Sequence, residues 1–316
     1  MARVLVTGVA GFIGSNLAYR LLSSGYEVLG IDNLSSGTPE NVPPGVDFHI
    51  VDIRGPEIHN LMMGADALFH LAAKTNLPDC MKDPIAASEV NVTGTVNVLE
   101  AARRARVSTV VYADTSAEYE GIKELPADVN KISPLSPYAV SKHGGALFCE
   151  VYQRFSNLPI TVLRYFNVYG SAQDWRRVFP PVICSFITKL LRGEQPTIYG
   201  TGKKRRDFIY VDDVNDFHML VLKDHRSRGK VYNVGTGINY SVLEIFNLIE
   251  EKLRTGLKPK WEPEMPGEAD ATLADIGENL QLNWRPRVEI HEGLQRTIDY
   301  YRERALKGVP ATGARG

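Results

Sequence analysis

The residues whose types and spacing most directly suggest chemistry are Tyr138 and Lys142. They lie four positions apart in the segment 137–142. On an α-helix this spacing places the phenol and the ammonium on one face. A tyrosine is ordinarily a poor base because its pKa is about 10, and a neighbouring ammonium would lower that pKa. The pair therefore predicts a tyrosine that takes a proton from an alcohol, assisted by the lysine.

A glycine-rich turn follows the first apolar run of the chain. Gly8, Gly11 and Gly14 come directly after the predicted strand Arg3–Thr7. In that context such a turn lets the pyrophosphate of a dinucleotide approach the N-terminus of a helix. We therefore expect the turn to bind a cofactor, with contacts that also include Phe12 and Ile13.

A carboxylate ends the second predicted strand. Asp32 can accept hydrogen bonds from the adenosine ribose hydroxyls, and it would repel the additional phosphate of NADP. No arginine adjoins it. We therefore expect the cofactor to be NAD. Its positive nicotinamide ring would assist deprotonation of Tyr138, and Lys142 would hold the nicotinamide ribose as well.

Further cofactor contacts are expected where the strands end, because ligands of parallel sheets bind at the carboxyl ends of the strands. The candidates are Asn33, Asp52, Ile53, Leu71, Ala72 and Ala73. Asp52 and Ile53 are candidates for an adenine pocket, and the small residues after the fourth strand would let a cofactor lie close to the backbone. His70, which precedes them, is interpreted as a packed histidine at the end of its strand.

Ser116 completes the predicted catalytic set. It follows the fifth predicted strand, at the edge of the sheet where such sites form. Its hydroxyl can share the proton of a substrate with Tyr138. Together with the glycine turn, Ser116, Tyr138 and Lys142 predict hydride chemistry on an alcohol.

The elements that must position these residues alternate between short apolar runs and longer amphipathic segments. This alternation is typical of an α/β protein with a Rossmann-type, doubly wound parallel sheet. The candidate strands are Arg3–Thr7, Glu27–Ile31, Phe48–Val51, Ala67–His70, Thr109–Ala113 and Thr161–Leu163. The candidate helices are Pro84–Arg106, Tyr138–Ser156, Ser241–Leu253 and Glu289–Tyr301.

The rhythm of the chain changes from about Asn167, where segments become shorter and richer in proline. We expect a cofactor-binding domain over residues 1–166 and a smaller C-terminal α/β substrate lobe over 167–308. The segment Val231–Val234 is also compatible with a return to the main sheet. A frayed tail is expected over 309–316.

The composition argues against several classes of partner. The net charge is −1, with 44% hydrophobic and 23% charged residues, so nothing indicates nucleic acid or an anionic membrane surface. The three cysteines, Cys80, Cys149 and Cys184, are widely spaced and form no metal-ligand grouping. No signal peptide is recognisable before the first strand, and no apolar run reaches membrane-spanning length. We expect a soluble, cytoplasmic protein without a metal site.

These motifs resemble those of the extended short-chain dehydrogenase/reductase family, specifically its NAD-dependent nucleotide-sugar epimerases and dehydratases. The resemblance runs from Gly8 to about Tyr301. It also rests on the segments 32–35, 91–95, 164–170, 206–214 and 233–237. It implies NAD as cofactor and a UDP-hexose as substrate, which is oxidised at C4 and reduced again from the opposite face.

The resemblance also implies roles for individual residues. Asn167 would hydrogen-bond the diphosphate–sugar, and Arg206 would contact a diphosphate oxygen, for which its rigid fork of donors is suited. Tyr165 and Phe166 would line the space of the nicotinamide and the sugar. Asn91 would be a sheet-edge residue near the cofactor.

The chain departs from the family pattern in three places. Dehydratases of this family carry an Asp-Glu pair where this chain has Ala117 and Glu118, and a Val-Tyr-Gly ending is replaced by the residues 119–121. An arginine that normally clamps the diphosphate is replaced by Met265. Thr272 stands where epimerases restricted to unsubstituted hexoses have a tyrosine, so a 2-acetamido group would fit; the region of Val182 also resembles epimerases of acetamido sugars.

Two other functions stay open. Glu118 is compatible with a nucleotide-sugar dehydratase or a UDP-glucuronate decarboxylase, although it is equally compatible with a glutamate that has no role in catalysis. A non-catalytic regulator that responds to NAD(H) is disfavoured, because both Tyr138 and Lys142 are present. As in the relatives, the helices near 84–106 and 138–156 would pair across a two-fold axis into a homodimer.

Overall fold

A parallel sheet of seven strands forms the centre of the molecule, in the order β10-β6-β5-β4-β1-β2-β3. The computed structural model describes residues 1–177, 179–264 and 269–306. The expectations for Met265 and for the tail 309–316 lie outside these residues. The strands of the main sheet are β1 (Arg3–Thr7), β2 (Glu27–Asp32), β3 (Asp47–Ile50), β4 (Ala67–His70), β5 (Thr109–Thr115), β6 (Ile160–Tyr165) and β10 (Val231–Val234).

The strands were predictable because both faces of this sheet are covered by helices, so buried strands are continuous apolar runs. In β1, for example, Val4, Leu5 and Val6 have no exposed surface. All six predicted strands are present, each within two residues of its predicted ends. Strands β1, β2 and β3 follow one another towards one edge of the sheet, whereas β4, β5 and β6 follow one another towards the other edge. The switch between β1 and β4 places a ligand crevice at the carboxyl ends of these two parallel strands.

Eleven α-helices lie in the described part of the chain. They are α1 (Phe12–Ser23), α2 (Glu57–Met62), α3 (Leu77–Lys82), α4 (Pro84–Ser88), α5 (Thr95–Ala105), α6 (Pro137–Ser156), α7 (Val182–Leu191), α8 (Val211–Lys223), α9 (Val242–Leu253), α10 (Gly277–Leu280) and α11 (Ile290–Leu306). Short 3₁₀ turns occur at Pro39–Asn41, Ser116–Tyr119 and His225–Ser227. None of the helices in these described stretches is long and apolar enough to cross a membrane.

The long helix predicted over Pro84–Arg106 is interrupted. A π-helical segment, Glu89–Gly94, separates α4 from α5. Here side-chain contacts compete with regular α-helical geometry: Thr95 Oγ1 donates to the Asn91 carbonyl at 2.7 Å, and a side chain at Gly94 would collide with Ile53. Such π segments occur frequently at functional sites.

The second part of the chain forms small sheets and helices and also adds one strand to the main sheet. Strands β7 (Asn167–Tyr169), β9 (Arg205–Tyr210) and β11 (Asn239–Ser241) form a small sheet, and β8 (Thr197–Tyr199) pairs with β12 (Lys260–Glu262). Helices α7, α9 and α11 pack around a core that includes Phe186, Ile245 and Leu294. Strand β10, in contrast, returns to the main sheet beside β6. The boundary at 166/167 is therefore not a clean division of the chain, and the proposed domain limits remain a prediction.

Candidate active site

The glycine turn has the geometry that close approach of a ligand requires. Gly8 adopts a φ of +75°, and a Cβ at this position would lie 2.8 Å from the backbone nitrogen of Ala72. A Cβ at Gly14 would overlap the carbonyl oxygen of Gly8. A Cβ at Gly11 meets only that same oxygen, at 3.2 Å. Gly8 and Gly14 are thus needed for packing, whereas Gly11 keeps the outer side of the turn open.

The beginning of α1 suits an anion. Gly11 is its N-cap and provides no side-chain cap, and the first turn carries no acidic residue. The backbone N–H groups of Phe12, Ile13 and Gly14 have no acceptor within the helix, and the helix dipole favours negative charge there. The residues present therefore fit the pyrophosphate of NAD.

Asp32 lies at the end of β2 as predicted, next to this turn. Its carboxylate accepts hydrogen bonds from the backbone N–H groups of Ala10 at 3.0 Å and Leu34 at 2.8 Å. Burial raises the pKa of Asp32, and these two hydrogen bonds oppose the rise. The carboxylate thus also fixes the shape of the glycine turn.

The candidate adenine pocket contains a network of polar side chains. Asn33 is exposed and donates to Asp52 at 2.9 Å, and Arg54 also binds Asp52 at 2.8 Å. These contacts, Arg54 above all, hold the pKa of Asp52 well below its usual range. Ile53 is buried beside them. Asp52 is therefore a charged acceptor whose orientation is fixed.

The loop after β4 lies against the glycine turn. The N–H groups of Leu71 and Ala72 both donate to Thr7 Oγ1 at 3.1 Å, and Ala73 follows, half-buried. His70 lies between Thr7 and Thr95, with its ring nitrogens 2.8 and 3.0 Å from the two hydroxyls. It is buried, and burial lowers its pKa to about 3. The interpretation of His70 as a packed histidine is confirmed.

Tyr138 is the second residue of α6, and its hydroxyl is hydrogen-bonded to the side chain of Thr115 at the end of β5. Burial raises the pKa of Tyr138 to about 12, and the hydrogen bond from Thr115 opposes that rise. Desolvation of the phenolate thus dominates this pKa among the protein's own groups. The expected lowering by Lys142 together with the nicotinamide ring stays a prediction.

Lys142 is almost completely buried, one helical turn after Tyr138. Its ammonium lies over the ring of Tyr112, and burial lowers its pKa from 10.5 to about 8. Asp114 and Glu118 attract the ammonium and oppose that fall. The lysine therefore still carries its charge at neutral pH, although burying this charge lowers the stability of the folded protein.

Ser116, the predicted partner of Tyr138, is half-buried in the 3₁₀ turn that follows β5. It adjoins Thr115, which is the residue that the Tyr138 hydroxyl contacts. The Thr115 side chain also accepts a hydrogen bond from the N–H of Ala117 at 3.2 Å. Two neighbouring hydroxyls thus lie at this edge of the sheet, and Ser116 as a catalytic residue remains a prediction.

Asn91 joins the two halves of the site, but it is not a sheet-edge residue as predicted. It lies in the π-helical segment, and its side chain binds the backbone N–H and carbonyl of Lys74 at 2.8 and 3.0 Å. It also donates to Ser141 Oγ on α6 at 2.9 Å. The loop after β4, which contacts Gly8, is thereby connected to the helix that carries Tyr138.

Glu118, a predicted substrate contact, is directed into the protein, and its role toward a substrate stays a prediction. Its side chain has no exposed surface and lies 2.8 Å from a guanidinium nitrogen of Arg164 and 3.3 Å from His143. Arg164 also binds Asp114, its partner on the neighbouring strand, at 3.0 Å. Burial and the neighbouring Asp114 raise the pKa of Glu118, and Arg164 opposes the rise. The arginine directs both carboxyls into the protein, because a buried cation requires partners.

Tyr165, a predicted cofactor contact, packs in the main core. Its hydroxyl lies 2.6 Å from His218 Nε2 on α8. Its side chain therefore faces the helix layer, and its contact with a cofactor stays a prediction. Phe166 is also buried and stacks on Tyr119, with ring centres 6.0 Å apart.

The expected substrate contacts of the second lobe lie on three elements. Asn167 begins β7 and Val182 begins α7, and both are half-buried. Arg206 lies on β9, where its guanidinium donates to the carbonyls of Arg205 at 2.9 Å and Ala269 at 2.8 Å. These bonds orient its plane.

The hydroxyl of Thr272 accepts a hydrogen bond from the N–H of Asp207 at 3.3 Å. The Asp207 carboxylate is buried and accepts from the backbone of Thr236, Gly237 and Ala274, at 2.8, 2.9 and 3.1 Å. Asp207 thus fixes the segment that carries Thr272 beside β9. The Thr272 side chain is therefore small, as the sequence requires, and its hydroxyl is held by the backbone of β9.

Sequence reasoning missed Thr115, Arg164 and Asp207 as residues of the site. Thr115 adjoins Ser116, and only the direction of each side chain at the strand end distinguishes them. Arg164 and Asp207 lie within segments that the resemblance used, and a charged residue inside an apolar strand was the available signal. Within residues 1–177, 179–264 and 269–306, no cluster of acidic, histidine or cysteine side chains is arranged to hold a metal ion.

Comparisons with known proteins agree with this geometry. A sequence model described as the NAD dependent epimerase/dehydratase family matches residues 4–235. A putative UDP-glucose 4-epimerase of Methanocaldococcus jannaschii is 34% identical over 94% of this chain and 97% of its own length. The UDP-glucose 4-epimerase of Thermotoga maritima, crystallised with UDP-glucose, has a TM-score of 0.93 at 32% identity and covers 96% of this chain and 99% of its own.

A further solved structure bears on the cofactor. The UDP-glucose 4-epimerase of Thermus thermophilus, in complex with NAD, has a TM-score of 0.87 at 35% identity, over 95% of this chain and 99% of its own. The expected fold and NAD as cofactor are therefore confirmed. By its sequence, its Rossmann-type sheet and its glycine turn, the chain belongs to the NAD-dependent epimerase/dehydratase family of extended short-chain dehydrogenases/reductases.

Proposed function

We propose that the protein is an NAD-dependent 4-epimerase of UDP-sugars such as UDP-glucose and UDP-galactose, including their N-acetyl forms. The observation that carries the proposal is the position of Tyr138 and Lys142 on one helix, connected through Asn91 to the loop that packs on the glycine turn. The names of the relatives described above support UDP-glucose as a substrate.

In the proposed reaction Tyr138 takes the proton of the 4-hydroxyl group of the sugar and later returns it. Thr115 donates to the phenolate and stabilises it, while Ser116 holds the substrate hydroxyl. Lys142 contributes its positive charge and binds the nicotinamide ribose. NAD, held by the glycine turn and Asp32, would supply the hydride acceptor for C4 and the hydride for the opposite face of the 4-keto sugar, so that no cofactor would be consumed.

The remaining predicted contacts bind the UDP-sugar. Arg206, whose plane is fixed by two carbonyl groups, would bind the diphosphate, and Asn167 would bind the diphosphate–sugar. Val182 and Thr272 would border the sugar, where a small side chain admits a 2-acetamido group.

The dehydratase or decarboxylase alternative is less well supported. It requires Glu118 to remove a proton from the sugar, and the placement of this carboxyl against Arg164, without exposed surface, argues against such contact. A non-catalytic regulator is disfavoured by the presence of both Tyr138 and Lys142.

We also propose a cytoplasmic homodimer in which two copies pair through α6. Five side chains of this helix form an exposed apolar stripe at helical spacing. They are Val140, Leu147, Phe148, Val151 and Phe155. Exposed apolar patches of this kind mark association surfaces. A single sedimenting species with the mass of a monomer at micromolar concentration would exclude the dimer.

The function is tested by incubating the purified enzyme with UDP-glucose, UDP-galactose, their N-acetyl analogues and UDP-glucuronate, with products identified by NMR. Formation of the C4 epimer without a change of mass supports the proposal. Loss of water or carbon dioxide would establish the alternative instead, and no turnover of any of these sugars would favour the regulator.

A further inference from the structure

Glu120 connects the end of β5 to the beginning of α6. One carboxylate oxygen accepts hydrogen bonds from the backbone N–H groups of Leu135, at 3.2 Å, and Ser136, at 2.9 Å. The other accepts from the Ser136 hydroxyl at 3.0 Å. A half-buried carboxylate that receives three donors is firmly oriented. Glu120 belongs to the residues 119–121 that replace the usual family ending.

Backbone hydrogen bonds also join the segment after β5 to the segment before α6. The N–H of Ser133 donates to the carbonyl of Glu118 at 2.7 Å, and the N–H of Gly121 donates to the carbonyl of Ser133 at 2.9 Å. A Cβ at Gly121 would overlap the Ser133 hydroxyl, so the two segments approach closely. Glu120 extends this contact by its side chain to the first residues of the helix.

The Ser136 hydroxyl is the N-cap of α6. It accepts a hydrogen bond from the N–H of Ala139 at 3.2 Å. Because a hydroxyl has one proton, donating it to Glu120 leaves the lone pairs directed towards Ala139. Tyr138 is the second residue after this cap, so its position depends on the cap geometry.

We propose that Glu120 is a positioning residue for Tyr138, holding the capped first turn of α6 against the strand end that carries Thr115 and Ser116. The kinetic part of this proposal depends on the proposed epimerase function. A hydrogen bond between Tyr138 and Thr115 requires the two elements to keep a fixed separation. Glu120 and the paired backbone segments supply that constraint.

The carboxylate also acts on Tyr138 through its charge. The negatively charged or ionisable groups that face the phenol from neighbouring elements are Glu120, Asp114 and Cys80, and each raises the pKa of Tyr138. The Thr115 hydrogen bond opposes them, and Lys142 lies one turn later on the same helix. Removing the charge of Glu120 by itself would lower the pKa of Tyr138, but losing the Thr115 hydrogen bond, which has the larger influence, would raise it.

The test uses the full-length protein with NAD and three variants. Glu120→Ala removes all three hydrogen bonds. Glu120→Gln keeps the volume, but its amide cannot accept at both oxygen positions. Glu124→Gln is the matched control, because this exposed glutamate pairs with Lys131 at 2.7 Å. Hydrogen–deuterium exchange of the peptide spanning 136–142, together with kcat, KM and the pH profile for UDP-glucose, is measured for each.

For both Glu120 variants we expect faster exchange at the beginning of α6 and a kcat lower by about 10- to 100-fold, because misplacing a reacting group is costly. KM should change by less than about twofold, and the ascending limb of the kcat profile should move to higher pH, because a displaced Tyr138 loses the Thr115 hydrogen bond that lowers its pKa. The control should behave as wild type. If exchange, kcat and pH profile of the Glu120 variants equal those of the control, the proposal is overturned.

Two further outcomes are decisive. If Glu120→Ala does not fold, Glu120→Gln alone carries the comparison with the control. If the wild-type enzyme converts no UDP-sugar, the proposed function fails while the exchange measurement still decides whether Glu120 positions the helix. A fall in kcat with an unmoved pH limb and unchanged exchange would contradict positioning.

Discussion

The ammonium of Lys142 lies 4.2 Å from the centre of the Tyr112 ring, and the Tyr112 hydroxyl donates to the carbonyl oxygen of the same lysine at 3.0 Å. Tyr112 is buried in β5 and thus contacts both the side-chain ammonium and the backbone carbonyl of Lys142. Gly145 makes room for this contact, because a Cβ there would overlap the hydroxyl. The charge is nevertheless costly to bury, since the pKa of Lys142 falls to about 8.

The first prediction concerns this cost. Lys142→Met should stabilise the protein at neutral pH by an amount on the order of 2 kcal/mol, because an apolar side chain needs no desolvation. Its kcat should fall at least about 100-fold, since the ammonium and the ribose contact are lost. Urea unfolding and epimerase assays measure the two effects.

The pH dependence of this stabilisation has a defined sign. The folded protein releases the Lys142 proton near pH 8, whereas the unfolded chain keeps it up to the ordinary value of 10.5. The free energy of unfolding of the wild-type protein therefore rises as the pH increases from about 8 to 10.5. Over the same range the additional stability of Lys142→Met relative to wild type should shrink. An advantage that grows with pH, or a variant less stable than wild type at pH 7, would contradict this account.

The second prediction separates packing from cofactor binding in the glycine turn. Gly14→Ala should destabilise the protein by about 1–3 kcal/mol, because the added methyl overlaps the Gly8 carbonyl. Gly11→Ala should change stability by less than about 1 kcal/mol but weaken NAD binding at least about tenfold. Thermal unfolding and NAD titration test the pair, and equal effects of the two substitutions on both quantities would refute the distinction.

The third prediction compares the two hydroxyls beside Tyr138. Thr115→Val removes the hydrogen bond that lowers the pKa of Tyr138, so the ascending limb of the kcat profile should move to higher pH. Ser116→Ala should reduce kcat by about tenfold or more without moving the limb. A limb that moves in the Ser116 variant and stays in the Thr115 variant would reverse the assignment.

The fourth prediction concerns Glu118. Because burial and the neighbouring Asp114 raise the pKa of this carboxyl, a neutral amide of the same shape suits the position, and Glu118→Gln should preserve its contacts. Epimerase activity should stay within about threefold of wild type. Arg164→Leu should instead lower the free energy of unfolding by about 3–5 kcal/mol, because Asp114 and Glu118 are left buried without their cation. Complete inactivation by Glu118→Gln, with folding intact, would restore a direct role for this residue.

Much of the fold and the cofactor site could be predicted from the sequence. Buried parallel strands are continuous apolar runs, so β1 and β4 could be located, and Gly8 and Asp32 follow from their position after such strands. The helix α6 was equally recognisable from its apolar periodicity. Its start at Pro137 agrees with the preference of proline for the first helical turn.

The parts that could not be predicted depend on side-chain directions at strand ends. Adjacent residues of a strand point to opposite faces of the sheet. Arg164 therefore contacts Asp114 and Glu118 on one face, whereas Tyr165 contacts His218 of α8 on the other. The sequence alone does not tell which residue points to which face. In the register of β6 with β5, Arg164 lies opposite Asp114 and Tyr165 opposite Thr115. The π segment around Asn91 was equally inaccessible, because the contacts with Lys74 and Ser141 come from distant parts of the chain.

The central claim is that the phenol of Tyr138 performs the proton transfer at C4. The most direct measurement is the interconversion of UDP-glucose and UDP-galactose by purified Tyr138→Phe, with NAD content and thermal stability compared with wild type. We predict a kcat lower by about 100- to 10,000-fold in a protein that still folds and binds NAD. Interconversion at the wild-type rate would contradict the account.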